Sequence, residues 1–291
     1  MIHTIKNELM QVCVSEKGAE LQSILGADGT EYLWQGDPKY WSDRALNIFP
    51  YVARLTEGSY YLDGEIHHMD IHGIAPYRNF GLAERTETRM VLELHSDEQT
   101  CGQYPRDFVF RVVYELCVDT LTVIYEVENR DEKCMYFGLG GHPGFNVPLA
   151  EGKRFEDYRL KFGSSCQPQR VGFNEACFVT GEMEPFPLED GKILPLRHEM
   201  FDNDAIVLAG VDHQVTLEAN GDGHFVTVTY PQMDYLGLWH WPKTDAPYIC
   251  IEPWCSLPSM ADRIAVFEEQ EDLIKLESGN TYRNRWTIQI G

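Results

Sequence analysis

Glu252 is an ionisable side chain at the end of an apolar, strand-like run, Tyr248–Trp254, where burial without a partner would be costly. Pro253 holds Glu252 extended and supplies no N–H for continued pairing, so we expect a carboxylate fixed at a strand end. Partial burial raises the pKa of such a carboxyl towards neutrality, as a general base requires. The alternative is an ordinary ion-paired glutamate.

His142 follows the glycine-rich segment 138–141 and precedes Pro143. Glycines allow another group to approach the backbone closely, and the residue before a proline is held extended. Histidine, with an ordinary pKa of about 6.5, donates or accepts a proton near neutral pH. The segment therefore indicates either a proton-transfer residue or a turn histidine satisfied by backbone groups.

Arg54 is the only charged residue in the apolar stretch 47–55. Its N–H donors suit the hydroxyl groups of a sugar, although a structural salt bridge would also explain the charge. Three histidines follow at positions 67, 68 and 72 and suggest a metal site. No cysteine or carboxylate nearby completes a recognisable ligand set, so we predict no metal.

Three tryptophans flank the glutamate: Trp239 and Trp241 precede it and Trp254 follows. Indole rings pack well against the apolar C–H faces of a sugar ring. We therefore expect them to form part of a sugar-binding floor, with Trp239 contacting the sugar and at least one of the three packing in the core.

The elements that position these residues are predicted to be β-strands, because apolar and polar residues alternate in segments such as 121–128 and 224–230. Asp63–Gly64 indicates a tight hairpin turn. No amphipathic helix of three turns is present, and only short helical turns are expected around 265–274. Many short strands with Gly- and Pro-rich turns predict an all-β protein, a large antiparallel β-sandwich, in a single domain over residues 1–291.

The formal net charge of −22 argues against nucleic acid and anionic membrane surfaces as partners, because both attract Lys and Arg patches. No run approaches the roughly 20 apolar residues of a membrane-spanning helix, and the N-terminus has no signal-peptide pattern. We expect a small-molecule partner and a monomer or weak dimer.

The eight cysteines contain no C-x-x-C pair, so neither a zinc site nor a redox pair is indicated. Cys13, Cys117 and Cys250 lie in apolar runs, where a free cysteine behaves as a small buried hydrophobe. Reduced cysteines are typical of a reducing compartment, so we expect the protein to be cytoplasmic.

Four of these residues, in chain order, resemble the active-site series of the aldose 1-epimerases, or galactose mutarotases: Arg54, His72, His142 and Glu252. The segments around them resemble the arginine strand and first hairpin of that family, its two histidine motifs and its carboxylate strand: 51–64, 72–73, 141–146 and 251–254. The resemblance covers nearly the whole chain.

This resemblance implies a galactose mutarotase-like supersandwich, a sugar-sized cleft and no cofactor. It gives Glu252 the role of general base and His142 that of general acid, with the other two residues holding the sugar. Asp204 resembles the family's substrate-binding aspartate, and Asp202 is its rival.

Two departures from the best-studied members place the chain nearer a divergent, LacX-like branch. Ile74 stands where those members have a second glycine after the first histidine motif, and Pro143–Gly144 stands where they have an aromatic residue. These departures leave open which aldose is the substrate, while the interconversion of α and β anomers is expected to be retained.

Interconversion of anomers breaks and reforms the bond between C1 and the ring oxygen. We expect Glu252 to take the proton of the anomeric hydroxyl while His142 protonates the ring oxygen, so that the ring opens to an aldehyde and recloses on its other face. The two groups are expected on opposite walls of one cleft.

Three alternatives remain open at this point. A hexose-phosphate mutarotase would need cationic groups at the cleft rim, which Arg44, Arg78 or Arg106 could supply. A non-catalytic carbohydrate-binding protein would use the tryptophans alone. A glycoside hydrolase would need two carboxylates flanking the scissile bond, and Glu252 with Asp204 could serve.

Overall fold

The computed structural model describes residues 1–291, and its regular structure is almost entirely β-strand. The helical segments are one short α-helix and five 3-10 turns: Glu98–Cys101, and Thr56–Gly58, Ala75–Tyr77, Phe155–Asp157, His198–Phe201 and Phe267–Glu269. The last turn confirms the short helical turn expected between 265 and 274, and the all-β prediction is confirmed. None of the helices combines the length and the apolar character needed to cross a membrane.

Twenty-four strands follow one another along the chain. In order they are β1 Ile2–Lys6, β2 Met10–Ser15, β3 Leu21–Gly26, β4 Ala45–Ile48, β5 Ser59–Leu62, β6 Glu65–His68, β7 Gly81–Arg85, β8 Arg89–His95, β9 Phe108–Cys117, β10 Thr120–Asn129, β11 Met135–Phe137, β12 Gly140–Asn146, β13 Tyr158–Phe162, β14 Gln169–Phe173, β15 Val179–Pro185, β16 Ile193–Pro195, β17 Ile206–Ala209, β18 Gln214–Ala219, β19 Phe225–Thr229, β20 Tyr235–Trp239, β21 Tyr248–Trp254, β22 Ala265–Val266, β23 Ile274–Leu276 and β24 Thr281–Ile290.

Two large antiparallel sheets dominate the fold. The nine-stranded sheet has the order β16-β13-β18-β19-β24-β10-β9-β8-β7, and the seven-stranded sheet has the order β15-β14-β17-β20-β21-β12-β4. Three small sheets, β1-β2-β3, β22-β5-β6 and β11-β23, complete the structure. Within these sheets only the short pair of β22 and β5 is parallel.

A single cluster of 65 buried residues draws on both large sheets. Val123 and Trp286 contribute from the nine-stranded sheet, and Phe145 and Ile251 contribute from the seven-stranded sheet. Because side chains alternate along a strand, the odd-numbered positions of β12 and β21 face this core and the even-numbered ones face the other way. The predicted antiparallel β-sandwich is thus confirmed.

The Asp63–Gly64 turn joins β5 to β6 in the predicted hairpin. Both residues have positive φ, 55° and 77°, which is the type I′ geometry that two-residue hairpin loops prefer. One expectation about burial is wrong, because Cys117 is exposed at the end of β9. Cys13 is only partly buried, whereas Cys250 is fully buried as expected.

Candidate active site

A cleft of about 420 Å³ lies on the face of the seven-stranded sheet that points away from the main core. Its floor comes from strands β12, β20 and β21, and its walls come from the loops that follow several strands. The lining includes every residue that the sequence singled out for the site: Arg54, His72, His142, Asp204, Trp239 and Glu252.

Strand register brings His142 next to Glu252. Strands β12 and β21 pair antiparallel, with Gly140 opposite Trp254 and Gly144 opposite Cys250. Halfway between these two pairs, His142 stands opposite Glu252, and both side chains project into the cleft. The two residues therefore lie side by side on one floor. The expectation that they would occupy opposite walls is wrong, because both belong to the same face of one sheet.

Glu252 lies inside its strand and not at a strand end as expected, since β21 continues to Trp254. Pro253 faces Leu236 of β20, and Pro143 faces Ala45 of β4. No bridge joins β12 to β21 between Gly144 and Gly140, where the two prolines offer no N–H. Prolines are rare in central strands because they interrupt the hydrogen-bond ladder. The His142–Glu252 pair lies at this interruption.

The Nε2 atom of His142 lies 3.2 Å from Oε2 of Glu252. The contact lacks the alignment of a hydrogen bond, and both Oε2 and the His142 Nδ1 are buried without a hydrogen-bond partner. Glu252 has no Lys or Arg partner, and His142 is not a turn residue held by backbone groups, so neither of those alternatives applies. Unpaired buried polar atoms are uncommon in folded proteins, so these two atoms mark the pair as a candidate for contact with a ligand.

Burial moves the pKa values of this pair in opposite directions. It raises the pKa of Glu252 well above its usual range, and the nearby Asp204 carboxylate adds to the shift. The indole of Trp254 opposes it, although that N–H makes no well-aligned hydrogen bond. Burial also lowers the pKa of His142 well below its usual range, with His72 acting in the same direction. Burial therefore disfavours the charged form of both groups, the carboxylate and the imidazolium.

His72 approaches the pair from the cleft wall, with its ring centroid 5.3 Å from that of His142. Its backbone N–H donates to the Ala53 carbonyl at 2.9 Å, and its Nδ1 accepts from the Ala53 N–H at 3.3 Å. Nδ1 is thus the acceptor, so the ring hydrogen belongs on Nε2. Burial lowers the pKa of His72 to about 4, and the charge of Arg54 acts in the same direction. His72 is therefore a neutral N–H donor.

Gly73 fixes the loop that carries His72. A β-carbon there would collide with the Phe49 carbonyl, and the φ of Gly73 is 79°. Ile74, one of the two departures from the family pattern, is buried in the core, and its N–H donates to the same carbonyl at 2.8 Å. This departure therefore changes how the loop is anchored to the core, and it does not change which residues line the cleft.

Arg54 lines the cleft as an exposed side chain and forms no salt bridge. The structural salt bridge considered from the sequence is therefore absent, and the guanidinium is free to donate to a ligand. The arginines considered as a phosphate-binding rim lie elsewhere: Arg44 donates to Gln22, Arg78 donates to Gln99, and Arg106 pairs with Asp63.

Asp204 lines the cleft and Asp202 does not. The Asp204 Oδ2 accepts from the thiol of Cys177 at 3.2 Å, and Oδ1 accepts from the Ala205 N–H at 2.8 Å. This carboxylate is one reason why the pKa of Cys177 is raised to about 11, the larger cause being burial of the thiol. The side chain of Asp204 is thus held in one orientation at the cleft.

Aromatic rings surround His142. Trp239 lies 5.7 Å from it and Trp41 lies 4.9 Å from it, measured between ring centroids. Trp241 is exposed at the rim, whereas Trp254 is buried beside Val52 and Val207, which agrees with core packing for at least one tryptophan.

Trp41 also explains the second departure from the family pattern. A β-carbon on Gly144 would lie 3.2 Å from Cζ3 of Trp41, so the glycine leaves room for that ring. Sequence reasoning missed Trp41, together with further lining residues: Asp43, Tyr77, Phe173, Cys177 and Asn203. The only available signal for Trp41 was its position shortly before the segment that contains Arg54.

The histidines of the discounted metal site do not converge. His68 Nδ1 contacts the Ser59 hydroxyl at 2.9 Å, and the ring of His67 packs on Tyr60 at 5.4 Å. His72 turns instead into the cleft. Donor atoms that approach one another closely enough to hold a metal belong to a different group: His142, Cys250 and Glu252.

Comparison with known proteins identifies the family of the chain. The family model for aldose 1-epimerase matches residues 1–289, so the chain belongs to the aldose 1-epimerase family and is an isomerase of that type. It is similar to the chromosomal LacX protein of Lactococcus lactis subsp. lactis, with 30% identity over 298 residues covering 98% of each chain.

Two solved structures share the whole fold. A galactose mutarotase related enzyme from Lactobacillus acidophilus has a TM-score of 0.94 and 29% identity, covering 100% of this chain and 97% of that one. A galactose mutarotase-like protein from Lactobacillus casei has a TM-score of 0.93 and 30% identity, with both chains covered completely. The predicted galactose mutarotase-like fold and the LacX-like relationship are thus confirmed.

Proposed function

We propose that the chain interconverts the α and β anomers of an unphosphorylated aldose, with Glu252 as general base and His142 as general acid. One observation carries the proposal: the 3.2 Å contact between a carboxylate and an imidazole on the floor of a sugar-sized cleft. The anomeric oxygen and the ring oxygen are both bonded to C1. Adjacent groups on one surface can therefore reach both atoms.

One proton shared by the pair is sufficient for this reaction. With one proton, the pair exists either as carboxylate and imidazolium or as carboxylic acid and imidazole. When Glu252 takes the proton of the anomeric hydroxyl and His142 gives its proton to the ring oxygen, the first form becomes the second and the sugar becomes an open aldehyde. Burial of both groups favours the neutral form and thereby the open intermediate. Reclosure on the other face of the aldehyde restores the starting form.

Neighbouring residues support binding and charge stabilisation. The Nε2–H of His72 and the unpaired guanidinium of Arg54 are placed to donate hydrogen bonds to sugar oxygens, where negative charge develops. Asp204 is oriented to accept from sugar hydroxyls, and Trp239 offers an apolar surface to the ring. The reaction needs only proton transfers, so no cofactor is proposed.

The charges of the cleft favour a sugar without phosphate. Arg54 is the only Lys or Arg residue in the lining, which also contains Asp43, Asp204 and Glu252. A phosphate group would face more carboxylates than cations, an arrangement that opposes anion binding. Hexose phosphates therefore remain the second candidate substrate class.

Exchange of magnetisation between anomers, measured by NMR over a panel of free and phosphorylated aldoses, tests the proposal. We expect accelerated exchange for at least one free aldose and little or none for its 6-phosphate. Acceleration confined to phosphorylated sugars would contradict the substrate class, and no acceleration on any aldose would contradict the reaction. Release of chromophore from chromogenic glycosides is expected to be absent.

Three further expectations belong with this proposal. The eight unpaired cysteines support a reducing, cytoplasmic location. The residues that line the cleft come from positions between Trp41 and Pro258, which supports one functional unit over residues 1–291. A monomer or weak dimer remains the expected oligomeric state, which size-exclusion chromatography with light scattering would measure.

A further inference from the structure

A third side chain stands beside the acid/base pair and has no part in the proposed reaction. Cys250 is two positions before Glu252 on β21, so the two side chains share one face of the strand. Its cross-strand partner, Gly144, has no side chain, and Trp34 and Trp41 pack against that glycine. The thiol is fully buried and does not line the cleft itself.

The three residues bring nitrogen, sulfur and oxygen donors together. The donor atoms of His142, Cys250 and Glu252 all lie within 4.8 Å of one another. Zinc bonds of about 2.0–2.3 Å in a tetrahedron place ligand atoms roughly 3.3–3.8 Å apart, so a small side-chain rotation is enough to close the set. The buried Oε2 of Glu252 has no hydrogen-bond partner and is available to a cation.

We propose that His142, Cys250 and Glu252 form a binding site for Zn²⁺, and that the ion blocks the acid/base pair. A thiolate, an imidazole and a carboxylate suit zinc, whereas Mg²⁺ and Ca²⁺ prefer oxygen ligands alone. His142 and Glu252 both face the cleft, which leaves the fourth position for water or a sugar oxygen. The ion is an inhibitor and not a cofactor of the reaction.

The charge of the donor set matches that of the ion. Formation of the Cys250 thiolate releases the thiol proton to water. One thiolate and one carboxylate beside a neutral imidazole carry two negative charges, so the occupied site has no net charge and avoids the large cost of an uncompensated charge in a buried site.

The second coordination sphere indicates reversible binding. The Nδ1 of His142 has no hydrogen-bond partner, whereas metal-ligating histidines usually donate this N–H to an acceptor. Loss of such a partner weakens metal affinity by about 10–100-fold. We therefore expect zinc to be removable with EDTA.

Binding and inhibition are measured separately, because only inhibition rests on the proposed function. Titration of the full, chelator-treated chain with Co²⁺, a spectroscopic substitute for Zn²⁺, is expected to produce a thiolate-to-cobalt absorption band. The band is expected to disappear in Cys250→Ala and to persist in Cys177→Ala, the matched control at the cysteine that lines the cleft. A band that depends on Cys177, or no band in the wild-type chain, would overturn the proposed site.

In the mutarotation assay, saturating Zn²⁺ is expected to slow the wild-type chain at least tenfold, with recovery in EDTA and no effect of Mg²⁺. The Cys250→Ala variant is expected to keep the wild-type mutarotation rate in the absence of zinc. It is expected to lose most of its inhibition by Zn²⁺. Equal zinc sensitivity in both chains would refute the blocking role. If no aldose is turned over but the cobalt band still depends on Cys250, the site stands and the proposed function fails. Cys250→Ser, which also removes the soft ligand, serves if the alanine variant does not fold.

Discussion

A β-carbon on Gly141 would lie 2.6 Å from Cζ2 of Trp286, so the backbone beside His142 rests directly on an indole of the opposite sheet. Gly141 belongs to β12 of the seven-stranded sheet, and Trp286 belongs to β24 of the nine-stranded sheet. The buried indole therefore limits how closely β12 approaches the opposite sheet. Because His142 follows Gly141 in the same strand, the indole also helps to fix the position of the imidazole.

Gly141→Ala is expected to destabilise the fold by about 1–3 kcal/mol, because the added methyl group overlaps a fully packed ring. Urea denaturation measures the loss, and the mutarotation rate is expected to fall because His142 moves with its strand. Gly223→Ala is the control, since a β-carbon there meets nothing within 4 Å. Its free energy of unfolding is expected to change by less than about 0.5 kcal/mol. Equal stability of the two variants would contradict the packing role of Gly141.

Glu252→Gln is expected to slow anomer exchange by roughly 10²–10⁴-fold, because the amide keeps the shape of the carboxylate but cannot take the proton. His142→Asn is expected to cause a similar loss. Polarimetry measures the rate, and calorimetric titration with the sugar tests whether binding is retained.

The double variant Glu252→Gln, His142→Asn is expected to be about as slow as the slower single variant, because each change disables the same proton exchange. Multiplication of the two losses would show that the residues act independently. An undiminished rate in Glu252→Gln would remove the carboxylate from the mechanism altogether.

Asp204→Asn is expected to raise the KM for the sugar about tenfold or more with a smaller effect on kcat, because a charged acceptor of sugar hydroxyls is lost. Asparagine tolerates the positive φ of 73° at this position, so the fold is preserved. Asp202→Asn, two residues away and outside the cleft, is expected to keep both constants within about twofold. The reverse pattern would assign substrate binding to Asp202.

The free energy of unfolding is expected to fall as the pH decreases from about 6.5 to about 4, with His72 as one cause. The pKa of His72 is about 4 in the folded chain and 6.5 in the unfolded chain. In this window only the unfolded chain takes up the proton, so acid favours unfolding. The contribution of His72 is complete above pH 6.5. It amounts to about 2 kcal/mol, after reduction for the part of the ring that reaches water.

His72→Asn removes this titration and fits the positive φ of 63° at the site. Urea denaturation of both chains at pH 7 and pH 4 is expected to show a decrease that is about 2 kcal/mol smaller in the variant. Because other buried histidines, such as His240, titrate equally in both chains, the difference isolates His72. Parallel pH profiles would show that His72 is not held neutral by the fold.

Local sequence patterns were sufficient for much of the fold. Alternation over 121–128 placed Val123 and Tyr125 on the core face of β10, and Asp63–Gly64 specified a hairpin turn, because both features act between near neighbours. The exposure of Cys117 was not predicted, since the apolar run that contains it does not show where the strand leaves the core.

The sequence by itself determined which side chains had the chemistry for proton transfer, because a buried carboxylate and a histidine beside prolines stand out against apolar strands. Only the tertiary structure decided that His142 and Glu252 share one floor, that Trp41 packs on the imidazole and that the Cys250 thiol lies within 4.8 Å of both. The physical reason is strand register. A shift of one residue between β12 and β21 would move the imidazole or the carboxylate to the opposite face of the sheet, and core packing across the whole sandwich fixes that register.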